Sequence, residues 1–121
     1  MTIINRAISK DTILREHNSF FEDLIKAVVD IENGIMAVDA ELHSDLEAFL
    51  LTEGSEQKNL WGVNLYLRKD KKDWVEYTAL INIRPSANNR WMEIEDSGTR
   101  GKIEDIVREL IVEENVQTEV A

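Results

Sequence analysis

The chain has 121 residues, 43% hydrophobic and 31% charged, with no cysteine and a formal net charge of −10. That balance describes one globular domain able to fold without staples, and it argues against disorder. Disulfides, thiolate zinc sites and a cysteine nucleophile are excluded, and the acidic charge disfavours a nucleic-acid backbone as partner.

No apolar run approaches the length of about 18 residues that a membrane helix needs. Met1 to Lys10 lacks the basic head and apolar stretch of a signal peptide. A cytoplasmic, membrane-free protein is expected. Ser9 reads as an N-cap. Ile13, Leu14, His17, Phe20, Phe21 and Leu24 follow at helical spacing and predict a first helix. His17 beside this stripe reads as a packed side chain rather than a ligand.

Next come two apolar runs, Ile25 to Ile31 and Ile35 to His43, joined by Asn33-Gly34. Asn-Gly between such runs signals a hairpin, because both residues tolerate positive φ. A two-residue turn there sets Ile31 opposite Met36, Val29 opposite Val38, Ala27 opposite Ala40 and Ile25 opposite Leu42. The other face would then pair Lys26 with Glu41.

Ser44-Asp45-Leu46-Glu47 has the form of a capping box, opening a short helix from Asp45 to Glu53 with Leu46, Phe49 and Leu50 as its stripe and Gly54 as its stop. Leu60 to Leu67 alternates Trp61, Val63, Leu65 and Leu67 on one face, and Arg68 to Asp73 is a charged loop. Trp74 to Arg84 alternates Val75, Tyr77, Ala79, Ile81 and Ile83, giving a second antiparallel hairpin that Pro85 ends. Arg90 to Glu95 alternates again. Asp96-Ser97-Gly98-Thr99 then opens a last helix with Ile103, Ile106, Val107, Leu110 and Ile111 inward.

The expected fold is therefore α+β: a mostly antiparallel sheet of about five strands with about three helices packed on one face. One domain is expected over 1–112, with a flexible acidic tail at 113–121.

Two polar groups stand out. The hairpin places Asp30, Asp39, Glu41 and His43 on its polar face, and carboxylates with one imidazole suit Mn, Fe, Zn or Mg. The plainer reading is a solvated face, and no cofactor is expected unless a divalent metal binds there. The second group is Asn64, Thr78, Asn82, Arg84, Asn89, Arg90 and Glu93. Its arginines beside the Pro85–Asn89 turn are candidates for holding a carboxylate or phosphate. The alternative is that they pair internally with Glu93, Glu95 or Glu76. Glu47 is explained by the capping box. Trp74 and Trp91 fall on the polar side and mark a candidate interface. Phosphate-binding loops and the nucleophile elbow are absent from the sequence.

Ala27-Val-Val-Asp-Ile-Glu32, Ile35-Met-Ala-Val38, Glu41-Leu-His-Ser-Asp45, Leu60-Trp-Gly-Val-Asn-Leu-Tyr66 and Leu80-Ile-Asn-Ile-Arg-Pro-Ser86 resemble a small uncharacterised bacterial and archaeal family, a domain of unknown function. The likeness covers nearly the whole chain except the tail and implies a prokaryotic source. Members of that family tend to carry glycine near Asp39 and Ala40, and glycine and serine near Asn88 and Trp91. This chain departs there, so the resemblance favours Glu41, His43, Arg84 and Arg90 over Asp39 as candidates.

The leading functional expectation is a small non-catalytic binding module, self-associating as a homodimer through the polar or Trp-bearing sheet face, or taking another protein or a small-molecule ligand. A metal-assisted hydrolase using Glu41 and His43 is the second, with the metal activating water. An acidic regulator of a basic partner is the third.

Overall fold

The computed structural model describes residues 1–113. Its elements are β1 (Thr2–Ile4), β2 (Ile8–Ser9), α1 (Lys10–Glu16), β3 (Ile25–Asp30), β4 (Ile35–Val38), α2 (His43–Thr52), β5 (Leu60–Leu65), β6 (Val75–Glu76), α3 (Ser97–Leu110) and β7 (Ile111–Val112). Five strands form one antiparallel sheet in the order β1-β4-β3-β5-β6, and β2 pairs in parallel with β7. The expected α+β class holds. The expected tail lies outside the described residues except for Glu113.

Alternation explains the layers. Ile25, Ala27 and Val29 of β3, Met36 and Val38 of β4, and Trp61, Val63 and Leu65 of β5 point to one side. There they meet Ile13 of α1 and Ile103, Ile106, Val107 and Leu110 of α3. The opposite side was expected to be polar and is instead a second core. Val28, Ala37 and Leu60 pack there against Leu46 and Leu50 of α2, with Ile81 and Phe49 alongside. The helices are thus divided between the faces, α1 and α3 on one and α2 on the other. Each of Leu46 and Leu50 is fully buried, worth about 1.5–3 kcal/mol. The second core was hidden because it rests on short residues: Val28, Ala37, Gly62 and Ala79 line it where a longer chain would read as a stripe.

The hairpin forms, but by a different turn. Val29 faces Met36 and Ala27 faces Val38, a shift of two residues from the expected pairing. The turn spans four residues, Ile31 to Gly34. The Asp30 carboxylate organises it, accepting from Glu32 N and Asn33 N at 3.0 Å each, and Gly34 N closes on Asp30 O at 3.0 Å. Only Gly34 (φ 67°) is left-handed; Asn33 is not. A shift by two keeps every side chain on its face, so alternation could not have detected it.

Other boundaries move. Ser9 caps α1 through its hydroxyl, yet α1 stops at Glu16, and Phe20 lies outside it, exposed. β4 ends at Val38 because Asp39 turns the chain at φ 72°. Helix α2 then begins at His43, too early for Ser44 to be its cap, and the capping box does not form. Its C-terminus matches expectation: Gly54 (φ 105°) follows it, with Ser55 N bonded to Leu50 O and Gly54 N to Leu51 O. Of the long strand expected at Trp74 to Arg84, only Val75–Glu76 pairs as one; Leu80–Asn82 and Pro85–Ala87 are short 3-10 turns. Arg90 to Glu95 forms no strand, only a single bridge between Glu93 and Thr78. The last helix opens where expected, and Asp96 caps it through Thr99 N.

Candidate functional site

β6 continues the sheet beside only Asn64 and Leu65, and among the described residues no strand covers the rest of the β5 edge. Side chains from the segment 78–93 cover it. Asn82 is fully buried; its Oδ1 accepts from Gly62 N at 2.8 Å, and its Nδ2 donates to Gly62 O at 2.9 Å and Met92 O at 3.1 Å. The amide thus presents to Gly62 the donor and acceptor that a neighbouring strand would supply. Two residues along, Arg84 Nη2 donates to Leu60 O at 2.7 Å, and Nη1 donates to Gln57 O at 3.1 Å. Gly62 makes this approach feasible. A Cβ there would lie 2.6 Å from Ala79 Cβ and 3.2 Å from His43 Cδ2.

Asn89 secures the returning segment of the lobe. Its Nδ2 donates to Asn82 O, Trp91 O and Glu93 O, and its Oδ1 accepts from Glu95 N at 2.9 Å. Arg84 and Asn89 also pair through their backbones across the Pro85–Asn88 tip, where Asn88 takes φ 59°. Three of the expected binding residues, Asn82, Arg84 and Asn89, are therefore brought together, but as the frame of the lobe. Arg84 does not pair with Glu93, Glu95 or Glu76. Its guanidinium stacks 4.6 Å from the Trp61 ring and sits 3.8 Å from Glu47 Oε2, an ion pair too long for a hydrogen bond. Burial lowers its pKa and Glu47 opposes that, and an arginine stays charged throughout.

The other candidates are scattered. Asn64 Nδ2 donates to Glu76 Oε1 at 2.7 Å across β5 and β6. Arg90 is exposed and makes no ion pair among the described residues. Asp30 is spent on its turn and on Ser55 Oγ at 2.7 Å. Burial pushes its pKa up, but the bonds from Ser55, Asn33 and Glu32 outweigh that and hold it below the ordinary value. Asp39 accepts from Ser19 N and Oγ, while Glu41 is exposed. His43 is the first residue of α2 and turns inward, its Nε2 donating to Val63 O at 2.9 Å. Burial lowers its pKa, with Lys26 adding to the effect and Val63 O and Asn64 opposing it. Lys26 stacks on Phe21 instead of pairing with Glu41. Among the described residues no three His, Asp or Glu groups converge as a ligand set.

What the lobe displays is apolar. Leu80 is 72% exposed, Trp91 65%, Ile83 45% and Met92 39%. Trp74, expected on the polar side like Trp91, is instead in the main core, with Nε1 donating to Lys69 O. Sequence reasoning missed Leu80, Ile83 and Met92 as surface residues, because alternation assigned them to strands. It also missed Gly62, although a glycine inside a strand signals close approach of another backbone.

Among the described residues no helix is long and apolar enough to cross a membrane. No curated protein and no solved structure matches the chain. A protein-family model does match residues 2–110, from β1 to the end of α3, and by it the chain belongs to the family described as protein of unknown function (DUF5674).

Proposed function

We propose that the protein is a small non-catalytic interaction module that self-associates through the 78–93 lobe. The observation carrying this reading is the pairing of a rigid frame with an apolar display. Asn82 and Asn89 are nearly or fully buried and hold an irregular loop in one shape, while Leu80, Ile83, Trp91 and Met92 stand in solvent on it. Large apolar side chains on a preorganised loop favour docking, since little ordering entropy is lost on contact.

A second copy suits the local charge. The whole chain carries −10, but the exposed charges of the lobe and its exit are close to balance, Arg90 against Glu93 and Glu95. A two-fold contact would set Arg90 of one copy near Glu93 or Glu95 of the other. A cytoplasmic location is supported by the cysteine-free composition.

Sedimentation velocity over a range of concentrations tests the reading. The wild type is expected to show a concentration-dependent dimer, and Trp91→Ala to weaken it by about 2 kcal/mol, roughly thirty-fold. A wild type that stays monomeric at the highest attainable concentration, or a dimer indifferent to Trp91→Ala, refutes it.

A further inference from the structure

The turn between β3 and β4 joins a reactive sequence to a geometry that restrains it. In Asn33-Gly34 an amide side chain precedes the least shielded kind of backbone nitrogen. Asn33 is exposed, and a Cβ built on Gly34 would meet nothing within 4 Å, so no neighbouring group walls off that nitrogen. In a free chain the Gly34 nitrogen, on giving up its proton, can attack Asn33 Cγ. A bond forms between Gly34 N and Cγ, and the bond from Cγ to Nδ2 breaks. Nδ2 leaves as ammonia, carrying the proton that Gly34 N gave up. Water then opens the cyclic imide at either carbonyl, leaving an α- or β-linked aspartate at position 33.

In the fold both reacting groups are held by one residue. Asn33 Nδ2 donates to Asp30 Oδ2 at 2.8 Å, and Gly34 N donates to Asp30 O at 3.0 Å. The holder is itself anchored: Asp30 is fully buried, and Ser55 Oγ donates to its Oδ2 at 2.7 Å. Attack needs a free Gly34 nitrogen with Asn33 Cγ swung onto it, so the bonds to Asp30 must open first. We propose that Asn33 is a self-modification site latched by Asp30, losing its amide to cyclisation on Gly34 N only when this turn opens. The change runs one way. A carboxylate at position 33 has no N–H to offer Asp30 Oδ2, and it sets a second negative charge against the first. A reacted turn therefore cannot relatch.

The full-length protein is held at mildly alkaline pH and sampled by intact mass and by peptide mapping that separates the two aspartate linkages at position 33. The folded chain is expected to react at least about tenfold more slowly than the same chain in urea. Asp30→Asn keeps an acceptor for Glu32 N and Asn33 N but takes the acceptor from Asn33 Nδ2, and should speed the reaction of the folded chain at least about fivefold. Should that variant fail to fold, Ser55→Ala decides: it leaves Asp30 in place, removes one bond to Oδ2, and should raise the rate about twofold or more. Gly62→Ala, which strains the fold away from the turn, should leave the rate unchanged. Equal rates with and without urea overturn the proposal, as does an absence of reaction at Asn33 in urea. So does a rate indifferent to Asp30→Asn, or to Ser55→Ala where that variant decides, or one raised as much by Gly62→Ala.

Discussion

Replacing Asn82 with alanine tests the side-chain closure of the sheet edge most directly. The amide serves three backbone groups: Gly62 N–H, Gly62 C=O and Met92 C=O. With Asn82 fully buried, water has no direct route to replace it. A buried backbone group without a partner costs about 1–3 kcal/mol. Partial relaxation of the lobe spares some of that, so a loss of about 3–4 kcal/mol is expected, or roughly 10–15 °C in Tm for a domain of this size. Urea unfolding followed by far-ultraviolet circular dichroism measures it, with the slope checked for a change in the denatured state. Asn82→Asp is the companion variant. It keeps an acceptor for Gly62 N–H but turns an oxygen toward two carbonyls, so it should be at least as damaging. If both variants lose less than about 1 kcal/mol, the amide is not the partner that holds β5 to the lobe.

Gly62→Ala should cost about 1–3 kcal/mol through overpacking against Ala79 Cβ at 2.6 Å, and a thermal melt indistinguishable from wild type would contradict that geometry. Stability should fall as pH drops below about 6.5, the ordinary imidazole value: His43 is held neutral by burial, so the unfolded chain takes up the proton first. His43→Gln should flatten that limb in urea midpoints measured between pH 5 and 8. A further loss begins below the ordinary carboxylate value of 3.8, because the folded pKa of Asp30 is depressed and its contribution disappears as the carboxylate protonates; Asp30→Asn should remove the limb. At the lobe tip, Asn88→Ala should destabilise by about 1 kcal/mol at φ 59° while Asn88→Gly is neutral, and equal melts for the two would show the left-handed turn to be absent.

The parts of the fold legible in the sequence are those where one residue type does one physical task. Ser9 as a cap, the opening of α3 at Asp96 to Thr99, Gly54 as a helix stop and the inward stripe of α3 all follow from local chemistry. The parity of the hairpin was legible but its pairing was not, since alternation repeats every two residues and Asp30 built a longer turn than Asn-Gly suggested. The segment 74–84 was misread because Val75, Tyr77, Ala79 and Ile81 alternate as a strand does, while Asn82 draws the backbone into a 3-10 turn by taking its partners from β5. Period alone cannot register a side chain acting as a strand. For the same reason Asn82, Arg84 and Asn89 stood out as polar residues in an apolar context, but their task was internal. The short strand β1 was missed altogether; three residues carry too little pattern to read.

The side-chain seal on β5 also bears on how this protein would fail. A bare strand edge is a template onto which another chain can add. Here the stretch of β5 that β6 leaves uncovered is bonded by Asn82 at Gly62 and by Arg84 at Leu60, and the opposite border of the sheet is the three-residue β1. Damage to the lobe would therefore do more than loosen a loop. It would uncover an apolar strand, Leu60–Leu65, with its hydrogen-bonding groups turned outward, in molecules whose two cores are still assembled. Lobe variants should consequently precipitate or form fibrils well before they unfold, whereas variants deep in either core should unfold first. For this chain, solubility depends on two asparagines and an arginine as much as on its surface charge.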